Sequence, residues 1–232
     1  FQADDGSSIL LTRSDVILWT GAKEVQLSSI FVGIAGGSCS GKTTLVKSIE
    51  ENLGFSVARL AFDSYYCDQG HLPIKERALV NYDHPDSLDV DLFIDDLRML
   101  RRGFDISSPV YDFATHTRSD KVADISPTEV ILFDGILLLA FSEISDLLDL
   151  KIFVSAPENT RLERRILRDV AERGRTAEQA HTQFLKTVQP MHAQFVEPSK
   201  KNADLILDGE GDINEMAKTV ENQIDFLLLG SD

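Results

Sequence analysis

Cysteine is scarce in this sequence. Cys39 and Cys67 are the only two, too few for a disulfide framework or a cysteine-rich zinc site, so a reducing, cytoplasmic setting is expected. Long apolar runs are also missing. The longest unbroken one, Ile136 to Phe141, falls far short of the about 20 residues that cross a membrane as a helix. Positive charge is limited: 23 lysines and arginines stand against 38 aspartates and glutamates, a net charge of −15. Such a chain repels nucleic-acid polymers and anionic lipid surfaces. No internal repeat or low-complexity tract interrupts it. What remains, 43% hydrophobic and 26% charged over 232 residues, is the composition of an ordinary globular protein with enough chain for a substantial core.

The few positive charges are unevenly placed. Six arginines, at 161, 164, 165, 168, 173 and 175, share one fifteen-residue window with Glu163, Asp169 and Glu172. That window is +3 and the rest of the chain −18. An acidic protein with one arginine cluster has somewhere to hold a concentrated anion.

Residues 1–29 form an N-terminal extension to which no role is assigned. Its two short apolar runs, at 9–11 and 16–19, read as a weak hairpin, and it lacks the basic stretch and cleavage site of a signal peptide. One domain is expected over 30–232. Ile30 to Ala35 reads as a strand buried on both faces. A glycine-rich loop and a helix from Lys42 to about Leu53 follow, with Gly54 as the stop. Further strands fit 56–62, 130–133, 151–154 and 204–207. Helices fit a stretch around Leu92–Leu100 stopped by Gly103, then 158–172, 177–189 and 212–229. Strands alternating with helices predict a three-layer α/β fold around a mostly parallel sheet.

The loop Gly36-Gly37-Ser38-Cys39-Ser40-Gly41-Lys42-Thr43 fits the pattern G-x-x-x-x-G-K-[ST] between a strand and a helix. Glycines let backbone N–H groups turn inward around phosphates, and the helix N-terminus adds partial positive charge. The lysine reaches the β- and γ-phosphates and the Thr43 hydroxyl ligates Mg²⁺. Val130-Ile131-Leu132-Phe133-Asp134 supplies the second expected part, a buried strand ending in a carboxylate that orients the Mg²⁺ shell. Binding of a nucleoside triphosphate follows. The guanine-reading Asn-Lys-x-Asp string of a GTPase switch is absent, and there is little room for the extra domains of a motor ATPase. A small kinase needs a carboxylate for the acceptor hydroxyl, an acceptor pocket and mobile cations over the transferred phosphoryl. Asp63, just after the second strand, supplies the carboxylate and approaches the Mg²⁺ shell. The arginine cluster supplies the cations as a closing lid over about 158–189. The plainer alternative for the cluster is a solvated helix face with Arg165–Asp169 and Arg168–Glu172 pairs.

With these parts in order, the chain resembles the uridine kinase (uridine–cytidine kinase) family of P-loop kinases. The resemblance rests on Gly36–Thr44, Asp63-Ser64-Tyr65-Tyr66, Asn81 to Asp86, Pro109 to Phe113 with His116 and Arg118, Asp134 to Leu137, Arg161 to Arg175, and Lys186 to His192. It implies transfer of the γ-phosphoryl of ATP or GTP to the 5′-hydroxyl of uridine or cytidine, a reaction of pyrimidine salvage. Asp63 takes the family's base position, with Lys42, Arg168 and Arg173 as the other catalytic residues. Gly36 to Thr44 and Arg175 bind the triphosphate. Asp83 holds the ribose hydroxyls, Tyr111, Phe113 and His116 grip the pyrimidine, and Arg165, Arg173 and Gln183 complete the acceptor side. Thr43, Asp134 and Asp63 face the metal. The family commonly has glutamate where Asp134 stands, so metal contact through water is expected here. It also tends to form homotetramers. Rival readings are a related kinase for another small alcohol, such as pantothenate or phosphoribulose, and a non-catalytic nucleotide-binding module. Tyr111 and Phe113 also fit plain core positions.

Overall fold

The computed structural model describes residues 29–77 and 79–230; the hairpin expected within 9–19 lies outside the described residues. The strands in chain order are β1 (Ile30–Gly36), β2 (Val57–Ala61), β3 (Ile106–Asp112), β4 (Thr117–Ile125), β5 (Val130–Asp134), β6 (Leu150–Ser155) and β7 (Leu205–Asp208). Five form one parallel sheet in the order β2-β5-β1-β6-β7, and β3 pairs antiparallel with β4 outside it. β1 and β5 are buried along their whole length. Both of their faces meet core, which is why their sequences run apolar without alternation.

Alternate residues of these strands feed two separate cores. Phe31, Phe133 and Phe153 face one layer, where they meet Phe62, Phe93 and Leu97. Val32, Ile34, Leu132 and Val154 face the other, packed on Leu45, Val46 and Ile49 and on Val220 and Ile224. The helices that close these layers are α1 (Lys42–Asn52), α2 (Val90–Arg101), α3 (Glu158–Glu172), α4 (beginning Ala177–Gln183) and α5 (Ile213–Leu229). The result is the expected three-layer α/β architecture. Among the described residues no helix is long and apolar enough to cross a membrane.

Two local expectations change. Gly54 is not the left-handed stop of α1; the helix ends because Leu53 turns to extended backbone (φ −64°, ψ 131°). Gly103, with φ 83°, does follow α2 in the left-handed region, as a glycine there permits. The second lid helix also outruns its expected end at 189. It starts at Ala177 under a reciprocal cap between Thr176 and Gln179 and continues in unbroken helical turns to Asn202. Two five-residue π-helical turns, Phe184–Val188 and His192–Val196, lie in this run. Each ends two residues before a proline, Pro190 and Pro198. A proline has no N–H for the preceding turn and its ring displaces that turn's carbonyl, and a widened turn makes the room.

Candidate active site

Parallel strands present their C-terminal ends on one edge, where an α/β sheet binds its ligands. The phosphate loop leaves β1 on that edge. Gly36 (φ 139°) and Gly41 (φ 111°) adopt conformations that side chains rarely take, and Gly36 also presses on the Val154 carbonyl, leaving no room for a Cβ. Gly41 caps α1 without a side chain, and no acid stands in the first turn. The amides of that turn are therefore left to an anion. Lys42 is buried and its Nζ donates to the carbonyls of Gly36 and Gly37, at 2.8 and 2.9 Å. Burial pulls its pKa down, and the carboxylates of Asp63 and Asp134 oppose that pull. Thr43 and Thr44 are exposed at the start of α1.

Two cavities flank the loop. One of about 360 Å³ is lined by Gly41, Lys42, Thr43, Thr44, Arg164 and Gly209, among others. Among its lining residues, Arg164 Nη1 donates to the Gly209 carbonyl at 2.9 Å. The other, of about 110 Å³, brings together Ser38, Asp63, Asp83, Tyr111, Phe113, His116, Arg165, Arg168, Arg173, Arg175 and Gln183. Every acceptor-side residue expected from the sequence is in this second cavity. Arg175 is there too, rather than on the triphosphate side where it was expected.

Asp63 sits in the single 3₁₀ turn Phe62–Tyr65 that follows β2. Its carboxylate makes no hydrogen bond with the described residues. Burial, then the charge of Asp134, push its pKa up to about 6 against the pull of Lys42. A carboxylate poised near neutrality is suited to take a proton. Arg118 of β4 fixes this segment: it donates to the carbonyls of Tyr66 and Tyr65 and pairs with Asp89, at 2.9, 3.2 and 3.1 Å. Burial also raises Asp83, while Arg165, Arg168 and Arg173 draw it back.

The hairpin contributes aromatic faces. Tyr82 stacks on His116 (4.9 Å, 14°), and Tyr111 lies 5.2 Å from both Tyr66 and Phe113. Tyr111 is buried, but Phe113 is 49% exposed, so the plain-core alternative fails for Phe113. His116 has φ 52°, an uncommon value for a residue with a side chain. The turn that imposes it is held by Asp112, which accepts from Ala114 N and Thr115 Oγ1. Burial and the nearby Arg175 and Arg173 lower the His116 pKa, which keeps its ring neutral.

The arginine cluster converges on one carboxylate. Asp169 is fully buried and accepts from Arg168 Nε and Nη2 at 3.1 and 2.9 Å and from Arg175 Nη1 at 2.7 Å. Arg165 and Arg173 approach it at 3.4 and 3.7 Å. Burial pushes its pKa up, but the arginines outweigh that and hold it below the usual range. The solvated i,i+4 alternative is thereby corrected: Arg165–Asp169 exists but is buried, and Arg168 turns to Asp169 rather than Glu172. Arg165 also donates from Nη1 to Ser38 Oγ at 3.0 Å, linking α3 to the phosphate loop.

Asp134 ends β5 beside the loop, as expected. Both of its oxygens are taken: Arg59 donates Nε to Oδ1 at 2.9 Å and Nη2 to Oδ2 at 3.1 Å. Sequence reasoning missed Arg59, Asp169 and Arg118 as members of the site. Asp169 lies four residues from both Arg165 and Arg173, a spacing that a solvated helix face shares; nothing in the sequence pointed to Arg59.

The same arrangement is matched by a family model. Residues 31–214 match the Phosphoribulokinase / Uridine kinase family. The chain belongs to this family. It is 45% identical over 205 residues to a uridine kinase of Leuconostoc citreum, covering 87% of this chain and 98% of that one. It is 48% identical over 187 residues to a uridine kinase of Staphylococcus epidermidis, covering 80% and 90%. Solved structures with the same fold include D-glycerate 3-kinase from Cryptococcus neoformans (TM-score 0.60, 16% identity, 80% of this chain and 88% of that one). Phosphoribulokinase from Rhodobacter spheroides is similar to the same degree (TM-score 0.60, 17% identity, 78% and 70%). Membership makes the chain a P-loop kinase, and Gly36–Thr43 carries the sequence pattern of that loop.

Proposed function

We propose that this kinase transfers the γ-phosphoryl of ATP or GTP to the 5′-hydroxyl of uridine or cytidine. The observation that carries the reading is the second cavity, where one carboxylate with no hydrogen bond among the described residues, a second acid and an aromatic hairpin meet the lid arginines. Curated relatives carrying the name uridine kinase, at 45–48% identity, support it. In this reading Asp63 takes the proton of the 5′-hydroxyl as that oxygen bonds to the γ-phosphorus. The bond from the γ-phosphorus to the β–γ bridging oxygen breaks, and the nucleoside diphosphate leaves. Lys42, Arg168 and Arg173 sit where charge accumulates on the transferring group. Tyr111, Phe113 and His116 receive the base and Arg165 with Gln183 closes the acceptor side. A coupled assay with uridine and cytidine at millimolar concentration tests the proposal; absence of turnover overturns it, and a panel of other small alcohols then identifies the acceptor.

The hard oxygen donors here suit Mg²⁺, which takes one or two protein oxygens beside phosphate oxygens and water. The fit is supported by Asp63, a half-buried carboxylate with no hydrogen bond among the described residues, and by the exposed Thr43 hydroxyl of the phosphate loop. Thr43 and Asp63 would hold the cation and Asp134 would reach it through water. When bound, Mg²⁺ neutralises charge on the β- and γ-phosphates. A cytoplasmic setting and a homo-oligomer, four copies by family resemblance, belong to the same reading, and light scattering counts the copies.

Two measurements probe individual residues. Asp63 must be ionised to accept a proton, and its free-enzyme pKa is about 6. kcat/KM should therefore be level above pH 7 and fall about tenfold per pH unit below 6; a profile flat to pH 5 removes Asp63 from the base role. Asp83→Ala deletes a charged acceptor for the ribose hydroxyls, an interaction of about 1.5–3 kcal/mol. KM for uridine should rise about 10- to 100-fold, with a much smaller rise for 2′-deoxyuridine.

A further inference from the structure

Asp134 stands where a carboxylate would meet the cation that accompanies a triphosphate, yet its environment is unusual for that task. β2 and β5 run parallel with Ala61 opposite Asp134. Arg59 lies two residues before Ala61, on the same face, and its side chain runs forward along the strand to reach the carboxylate. The contact is bidentate, 2.9 and 3.1 Å, with the Asp134 side chain 9% exposed. A planar guanidinium fork fits a carboxylate's two oxygens and fixes its orientation. A divalent cation approaching Asp134 directly would share those oxygens with a fixed positive charge, at short range and in a partly buried setting. Asp63, by contrast, accepts no hydrogen bond among the described residues, where it follows β2 in the turn Phe62–Tyr65.

We propose that Arg59 is a positioning residue for the divalent-cation site: its fork draws the Asp134 carboxylate back, so that Asp134 meets the cation through water and the cation is held more loosely than two direct carboxylates would hold it. The inference rests on the phosphotransfer reading of this cleft but not on the identity of the acceptor.

The test is binding of Mn²⁺ to the full chain in the presence of a non-hydrolysable ATP analogue, with free Mn²⁺ counted by its paramagnetic resonance signal. Arg59→Gln should tighten Mn²⁺ binding about tenfold, the range that residues behind a metal's direct ligands control. Arg59→Lys, which keeps the charge but not the fork, should fall between. Arg59→Gln with Asp134→Asn should lose the gain. Should Arg59→Gln fail to fold by circular dichroism, Asp134→Asn in the otherwise unaltered chain decides: a change in Mn²⁺ affinity under about threefold supports the proposal. A folded Arg59→Gln protein with unchanged or weaker Mn²⁺ affinity overturns it, as does a loss beyond about tenfold in Asp134→Asn alone. No Mn²⁺ binding to the parent chain overturns both the proposal and the phosphotransfer reading. Since acceptor turnover is not read, failure with uridine leaves this result standing.

Discussion

Asp63→Asn is expected to lower kcat about a thousandfold, within the range that a positioned general base contributes, while binding of the ATP analogue stays within a few-fold of the parent. The amide keeps the size of the side chain but cannot take the proton. The same substitution should make the protein more heat-stable. The carboxylate's pKa is raised to about 6 by burial and by Asp134, above its value in the unfolded chain. An acid with a raised folded pKa destabilises the native state while ionised, and the cost is relieved as pH falls through 6. At pH 7.5 this amounts to about 1–2 kcal/mol after allowing for water in the cleft, or several degrees in Tm. Loss of turnover together with a rise in Tm is a pattern that general damage does not produce. Retained turnover would mean that Asp63 is not the proton acceptor, and a fall in Tm would mean that its carboxylate is not destabilised by burial in the native state.

Asp169→Asn is expected to reduce kcat by about 10²- to 10³-fold although Asp169 lines neither of the two cavities. Its carboxylate is the shared counter-charge of Arg165, Arg168, Arg173 and Arg175. Without it, four like charges remain close together around a buried neutral amide. Breaking a buried ion pair in this one-sided way costs about 3–5 kcal/mol, and misplaced cations lose transition-state charge stabilisation. Circular dichroism separates the two effects: a folded variant with near-parental kcat would show that the arginines hold their places without Asp169. Adding salt should restore part of the loss, since screening weakens repulsion among the exposed portions of the cluster.

The core of this fold was legible because the parallel strands are buried on both faces, and Ile30–Ala35 and Val130–Phe133 therefore announce themselves as apolar runs. The phosphate loop was legible because its chemistry needs glycines and a lysine at fixed spacing. The acceptor cavity was assembled from strings whose meaning came from family resemblance; spacing alone does not bring Asp83 beside Gln183. Three features were hidden for physical reasons. Arg59 lies inside a strand, and only the parallel register carries its side chain to Asp134. Asp169 sits one residue from Arg168, and sequence cannot separate a buried hub from a solvated face. The continuation of α4 was hidden by Pro190 and Pro198, residues that usually end a helix.

Those two prolines give the lid a mechanical character. Gln183, near the start of the α4 run, lines the acceptor cavity, whereas Val196 and Ser199, near its end, are buried in the body of the protein. Pro190 lies between them, where the ordinary ladder of backbone bonds has already been interrupted by a widened turn. The first half of the run is tied to α3, since Ala180 and Phe184 are buried and the Arg161 guanidinium lies over the Phe184 ring; a bend at the widened turn, which gives up fewer bonds than one elsewhere, therefore carries α3 with it. Gln183 and the arginines of α3 thus form one unit on the near side of that turn, and the far half keeps its register in the body of the protein.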